Sequence, residues 1–349
     1  MYKRKIALAL VLIIAAFGLY FTYLFYRVFF MPNTAFNNET SYVFIPTGTN
    51  ITSLLHELEP VLKSTDDFRL AAEKKGYATR IRAGKYALKK GMNNNEIINT
   101  LRGRSVPVKV TFNNIERIED LAGRIAQQVE VDSLTLLKQM LDPEFLAKNG
   151  FSPETALGMY IPNTYQFFWN VSPVALQKRL FKEYQYFWTP RRRNFAHKRG
   201  LSLNEAMTLA SIVQKESLKI DERPLIAQVY INRLDKGMRL QADPTVVYAL
   251  KKAQNDFSLV VRRVLNKDLK IDSPYNTYKI NGLPPGPICM PDISAIDAVV
   301  FPEPIPHKFL YFVADPERPG YHNFSKSLRE HNRKARAYYR YLNKKKLYR

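Results

Sequence analysis

The chain predicts an α+β protein: a single N-terminal transmembrane helix, a small α+β module behind it, and a larger mixed α/β domain. Three observations lead to this. Residues Ile6–Tyr26 form an uncharged apolar run, residues 42–105 mix short β-branched runs with short helical ones, and the remainder alternates longer amphipathic stretches with glycine- and proline-marked loops. The resulting division is 1–30 for a cytoplasmic tip and anchor, 31–41 for a linker, 42–105 for the module and 106–349 for the large domain.

At 349 residues the chain can hold about two domains. A 46% hydrophobic fraction with 13% aromatic residues argues against disorder. Lys and Arg number 53 against 31 Asp and Glu, a formal charge of +22, which attracts a polyanion without choosing among nucleic acid, anionic lipid and a carboxylate-bearing polymer. Cys289 is the single cysteine and the five histidines lack ligand spacing, so neither an internal disulfide nor a thiolate zinc site is expected; no metal and no cofactor are predicted.

The anchor is argued from length and flanks. At about 1.5 Å per residue the run from Ile6 to Tyr26 crosses a hydrocarbon core of roughly 30 Å. Lys3, Arg4 and Lys5 precede it, so the positive-inside rule keeps the N-terminus cytoplasmic and places the rest outside the cytoplasmic membrane, where nucleic acid is not an expected partner. A cleaved signal would need a shorter core and small residues at a cleavage site; here the run continues through Tyr20, Phe21, Tyr23 and Phe25 to Phe29 and Phe30.

Residues 31–41 (MPNTAFNNETS) are polar turn formers and read as a linker. The module then reads as strand Tyr42–Ile45, helices Ile51–Leu58 and Thr65–Lys75, strand Lys85–Ala87 and helix Asn94–Leu101. Asn50 or Thr49 serves as cap for the first helix and Asn93 or Asn94 for the last. The stretch from Val110 (VTFNNIERIEDLAGRIA) resembles that from Val43 (VFIPTGTNITSLLHELE) as strand, turn and amphipathic helix, which suggests a duplication.

The most informative stretch runs from Leu201 to Thr245. Ser202 and Glu205 form a capping box ahead of an apolar run, which predicts a helix from Leu203 to about Lys215 or Ser217. Leu203, Ala206, Leu209, Ala210, Ile212 and Val213 make its buried face, with Ser211 and Gln214 on the polar side. Glu216 extends the apolar stripe. A carboxyl held there loses hydration and its pKa rises toward the range of a general acid, whereas a frayed helix end would simply turn it into water. The next helix starts near Pro224 and stops at Gly237. Asp243 before Pro244 reads as an N-cap for a helix Thr245–Lys252. Tyr275–Tyr278 and the proline-rich run from Gly282 to Pro287 read as rigid loop, Phe309–Val313 as a buried strand, and Ser327–Tyr341 as a basic helix.

Singly these signals are weak, but their order is specific. LASIVQKES, INRLDKGMRLQADPTVVYAL, SPYNTYKINGLPPGPI, LYFVAD and HNF, behind a single anchor, resemble the YceG-like endolytic murein transglycosylases, the MltG family. The resemblance implies a LysM-like module at 42–105 and a YceG-like catalytic domain at 106–349. It further implies cleavage of MurNAc–GlcNAc bonds in nascent peptidoglycan strands, with 1,6-anhydroMurNAc ends and a limit on strand length. It makes Glu216 the catalytic acid and Gln241, Asp243, Pro244, Thr245, Tyr275, Asn276, Tyr278, His322 and Phe324 the cleft residues. The expected partners are glycan strands, the inner membrane and, as candidates, peptidoglycan synthases. The sequence departs from the family pattern at Phe112-Asn-Asn-Ile115, where an acidic-glycine turn is usual, and at Gln214, where an acid is usual.

With Asp243 read as a cap, no second carboxylate is apparent for a hydrolase, so the sugar's own C6 hydroxyl is the expected nucleophile. The alternative is a glycan-binding or division-scaffold membrane protein with no chemistry, which would not need a carboxyl on an apolar stripe.

Overall fold

The computed structural model describes residues 2–301 and 308–344, so Met1 and, in the predicted large domain, residues 302–307 and 345–349 lie outside the described residues. The elements in chain order are α1 (Tyr2–Phe30), β1 (Thr40–Ile45), α2 (Ile51–Leu58), α3 (Thr65–Lys74), β2 (Gly84–Lys89), α4 (Asn94–Arg102), β3 (Val108–Phe112), α5 (Ile118–Ala126), α6 (Ser133–Met140), α7 (Pro143–Lys148), β4 (Asn163–Phe167), α8 (Pro173–Phe187), α9 (Pro190–Lys198), α10 (Leu203–Glu216), α11 (Arg223–Asp235), α12 (Asp243–Gln254), α13 (Ile293–Val300), β5 (Tyr311–Ala314), β6 (His322–Ser325) and α14 (Leu328–Lys344). The mixed α and β composition agrees with the predicted class. The described strands form three two-stranded sheets, β1–β2, β3–β4 and β5–β6. The chain divides into two compact units, one of residues 1–110, 128–131 and 165–172, the other of 111–127, 132–164 and 173–349.

In the first unit α2, α3 and α4 bury Leu54, Leu58, Phe68, Ile97 and Ile98 against the inward face of the antiparallel β1–β2 pair, with Val43, Ile45, Tyr86 and Leu88. Both expected caps are formed: Asn50 accepts from the Ser53 amide, and Asn93 forms a capping box with Glu96. The stretch Arg4–Phe30 is the one helix among the described residues long and apolar enough to cross a membrane, and its most apolar part is exposed, with Leu24 and Phe29 near its end packing against the module core.

Its last turn behaves differently. Val28 is buried in the module core, its carbonyl accepts from Asn94 Nδ2 at 2.7 Å, and Arg27 pairs with Asp67 at 2.8 Å. The segment 31–41, read from composition as a linker, is also tied down. The Asn33 amide donates to the Met92 carbonyl, Ala35 to Val61, and the buried Asn33 side chain binds Ser64 and Asn94. Turn-forming residues are frequent there because these isolated bridges need polar side chains, a use that composition does not separate from a free linker.

The second unit is built around α10, which packs against α9, α11, α12 and α13. Ser202 and Glu205 form the predicted capping box. The predicted polar side does not exist: Ser211 and Gln214 are buried together with the whole stretch from Ala206 to Val213. Their polar atoms serve the chain at 288–292. Ser211 Oγ accepts from the Ile288 amide at 3.0 Å and Gln214 Oε1 from the Asp292 amide at 2.5 Å. A helix enclosed all round carries polar residues only where such partners exist.

The join between anchor and module yields a prediction. Asn94→Ala strands the Val28 carbonyl and one proton of the Asn33 amide in a dry interior, which should cost about 2–4 kcal/mol. Thermal unfolding of the full chain in detergent should show a clear drop; an unchanged melting temperature would contradict the role assigned to Asn94.

Candidate functional site

Burial of α10 delivers its last residue to the floor of a cleft of about 1140 Å³. Glu216 lies there with Asp243 and Pro244 at the start of α12, Tyr248 further along it, residues 259–264, the turn after β5 and the tyrosines of α14. Ser217 is the C-cap with an extended backbone, and Arg223, itself buried, donates to the Ser217 carbonyl at 3.1 Å while pairing with Asp292 at 2.8 Å. The backbone just past Glu216 is thereby fixed.

The Glu216 side chain is half-buried, and Tyr230 of α11 donates its hydroxyl hydrogen to Oε1 at 2.5 Å. Burial raises the carboxyl to about 7; the Tyr230 hydrogen bond pulls it down, the Asp243 charge adds to the rise, and Arg233 opposes it. Its position at a helix C-terminus, where the peptide dipoles disfavour an anion, acts in the same direction as burial. Near neutral pH this group holds a proton or gives it up with equal ease, which is what a single acid–base catalyst requires. Lys215 and Lys251 both pair with Glu116, at 2.6 and 2.8 Å, and those pairs hold the Glu116 carboxyl below its usual range against the cost of burial.

Asp243 is not a cap. The helix begins at Asp243 itself, Ala242 holds the cap position without a side-chain bond, and the Asp243 carboxylate accepts from the Tyr278 hydroxyl at 2.6 Å. The cause is the backbone before it. Gln241 takes a left-handed φ of 51°, its amide donates to the Thr277 carbonyl, and the Ala242 amide donates to Thr277 Oγ1. That pinning brings Asp243 into the first turn and points its carboxylate at the cleft. Burial and the Asp243 hydrogen bond raise the Tyr278 hydroxyl, keeping it a donor.

The remaining sequence-predicted residues separate into two sets. Thr245, Tyr275 and Asn276 are buried. Thr245 Oγ1 bonds the Ala242 carbonyl and Thr277, Asn276 donates to the Leu269 and Ile271 carbonyls, and Tyr275 packs on Tyr248. In this structure they shape the loop rather than line the cleft. His322 and Phe324 sit on β6, where both pack against Phe312, whose ring meets Tyr230 edge-on at 5.8 Å. Glu222, buried, receives the His322 amide at 2.6 Å and lies 2.7 Å from His322 Nδ1. Sequence reading missed Tyr230, Arg233, Arg223 and Glu222. A buried hydroxyl must find a partner, yet which one depends on how α10 and α11 pack, and no local pattern reveals that.

The two departures from the expected pattern touch each other. Gln214 Nε2 donates to Asn114 Oδ1 at 3.2 Å, and Asn114 adopts a left-handed φ of 49°. Asn tolerates that conformation better than most residues, and an acid at 214 could not donate this bond.

A protonatable carboxyl at the end of a buried helix, with a second carboxylate on the same cleft, is an arrangement capable of the acid–base chemistry by which glycosidic bonds are cleaved. The YceG-like family profile matches residues 43–337, and the chain belongs to that family. The endolytic murein transglycosylase of Bacillus subtilis strain 168 is 32% identical, covering 86% of this chain and 85% of that protein. The endolytic murein transglycosylase of Streptococcus pneumoniae strain D39 is 29% identical over 85% of this chain, which spans 58% of that longer protein. A crystal structure of a YceG-like protein from Listeria monocytogenes, 33% identical, superposes with a TM-score of 0.55 over 85% of this chain and 99% of the other.

The raised carboxyl makes stability depend on pH with a definite sign. Unfolded, Glu216 ionises near its ordinary 4.5; folded, near 7. Its contribution is fully present below the first value and is lost as pH rises through the second. Glu216→Gln, which stays neutral, should match the parent's melting temperature at about pH 4.5 and exceed it increasingly up to about pH 8. The difference should be on the order of 1–3 kcal/mol. A constant difference across that range would refute the shift.

Proposed function

We propose that this chain is a membrane-anchored endolytic lytic transglycosylase that cleaves MurNAc–GlcNAc bonds of peptidoglycan strands. The observation that carries it is Glu216, a carboxyl poised near neutrality on a cleft, in a chain whose curated relatives are endolytic murein transglycosylases. Glu216 donates its proton to the glycosidic oxygen as the bond from MurNAc C1 to that oxygen breaks. The carboxylate left behind takes the proton of the C6 hydroxyl while O6 closes on C1, giving a 1,6-anhydroMurNAc end and restoring the acid. No water is consumed. The Asp243 carboxylate stabilises positive charge building at C1, with Tyr278 fixing its orientation.

A hydrolase is the second reading, favoured by Asp243 itself, since that carboxylate faces the cleft and would activate water or attack C1. Products decide between them. With purified strands in heavy-oxygen water, ends lighter by one water and free of the label are expected; labelled reducing MurNAc ends would establish hydrolysis. Glu216→Gln should lose at least about 10³-fold in turnover. Glu205→Gln, which affects only the capping box, should stay active.

The anchor reading places α1 in the cytoplasmic membrane with its N-terminus inside and the body outside. The basic residues ahead of α1 support that orientation. The first unit, read as a LysM-like module, would hold strands for the cleft, and strand synthases are candidate partners. Protease added to intact spheroplasts should degrade everything beyond about Arg27; a protected body would reverse the topology.

A further inference from the structure

We infer that Tyr230 is a positioning residue for the reaction, holding Glu216 so that its free oxygen carries the proton toward substrate, and that the β5–β6 hairpin bearing His322 and Phe324 reaches the chemistry through Tyr230. The inference rests on the catalytic reading of Glu216 given above.

The geometry is a closed chain of contacts. Tyr230 is only 1% exposed, so its hydroxyl has no water to bond, and it donates to Oε1 of Glu216. A carboxyl with Oε1 engaged as acceptor keeps its own proton on Oε2. Behind Tyr230 stands Phe312, and against Phe312 stand His322, at 5.1 Å and 76°, and Phe324. His322 is held by Glu222, and Glu222 lies 3.4 Å from Ser217 Oγ, the residue that follows Glu216. The contacts thus return to the residue next in the chain to Glu216. The hairpin residues that sequence order singled out do not line the cleft, and this circuit gives them a part in it.

Other groups act on Glu216 by charge. Arg233 faces it from α11 and Asp243 from α12, while Tyr278 acts through Asp243. Lys215, its neighbour in the chain, is held by Glu116. Among the described residues, Tyr230 alone donates a hydrogen bond to the Glu216 side chain. Removing that donor withdraws support from the ionised form, so proton release should require a higher pH.

The test is Tyr230→Phe in the full-length protein, with kcat and KM measured against pH on defined glycan strands. Turnover should fall by about 10²-fold with KM little changed. The alkaline limb of kcat/KM should move up by about one pH unit. The limb decides, because its position does not depend on how much of the variant is folded: an upward move supports the role, and an unmoved or lowered limb overturns it whatever happens to kcat. Glu216→Gln is run alongside. Turnover by Glu216→Gln would remove the catalytic reading itself. An inactive Glu216→Gln beside a Tyr230→Phe variant with the parent's limb would remove only the role of Tyr230.

Discussion

The arrangement depends on one constraint, the exclusion of water from every side of α10 between Ala206 and Gln214. Four helices cover it, so the helix cannot rotate without exposing apolar residues on one face or stranding Ser211 and Gln214 on another. That fixed rotation decides where the fourteenth and last residue points. A carboxyl placed by an amphipathic surface helix would have a choice of water or protein. At the end of an enclosed helix it has the cleft on one side and the Tyr230 hydroxyl on the other.

Around that carboxyl the structure balances opposing effects rather than maximising one. Burial and the nearby Asp243 charge favour the neutral form; Tyr230 and Arg233 favour the ion. Arg233 is itself engaged, donating to the Leu240 carbonyl at 2.6 Å and the Leu310 carbonyl at 2.7 Å, so it biases the site from a distance without forming an ion pair there. Had a guanidinium contacted Glu216 directly, the group would be a permanent anion and unable to deliver a proton.

Much of this was legible from residue order, and the boundary of legibility has a physical cause. Caps and periodicity are local, so Ser202 with Glu205, Asn50, Asn93 and the extent of α2 could be read directly. Glu216 could be read too, because the apolar stripe that carries it is set by neighbours in sequence. Ser211 and Gln214 were assigned to the wrong side because the carbonyls and amides they serve lie more than seventy residues away. Asp243 was misread because its preference for a cap is real in isolation and is overridden by Thr277 pinning the two residues before it. The buried positions of Tyr275 and Asn276 follow from the same loop, which folds on itself through bonds to Leu269 and Ile271.

The hydrogen bond between Gln214 and Asn114 has a consequence for how sequences of this kind diverge. Position 214 sits two residues before the carboxyl on α10, and position 114 lies in a turn a hundred residues earlier. An acid at 214 would require the Asn114 amide to turn so that Nδ2 donates to it, and a glycine at 114 would leave Gln214 Nε2 only its longer bond to the Met290 carbonyl at 3.5 Å. Each exchange changes what the other position can bond, so the two are energetically coupled, and a chimera of two such chains should carry both from the same parent.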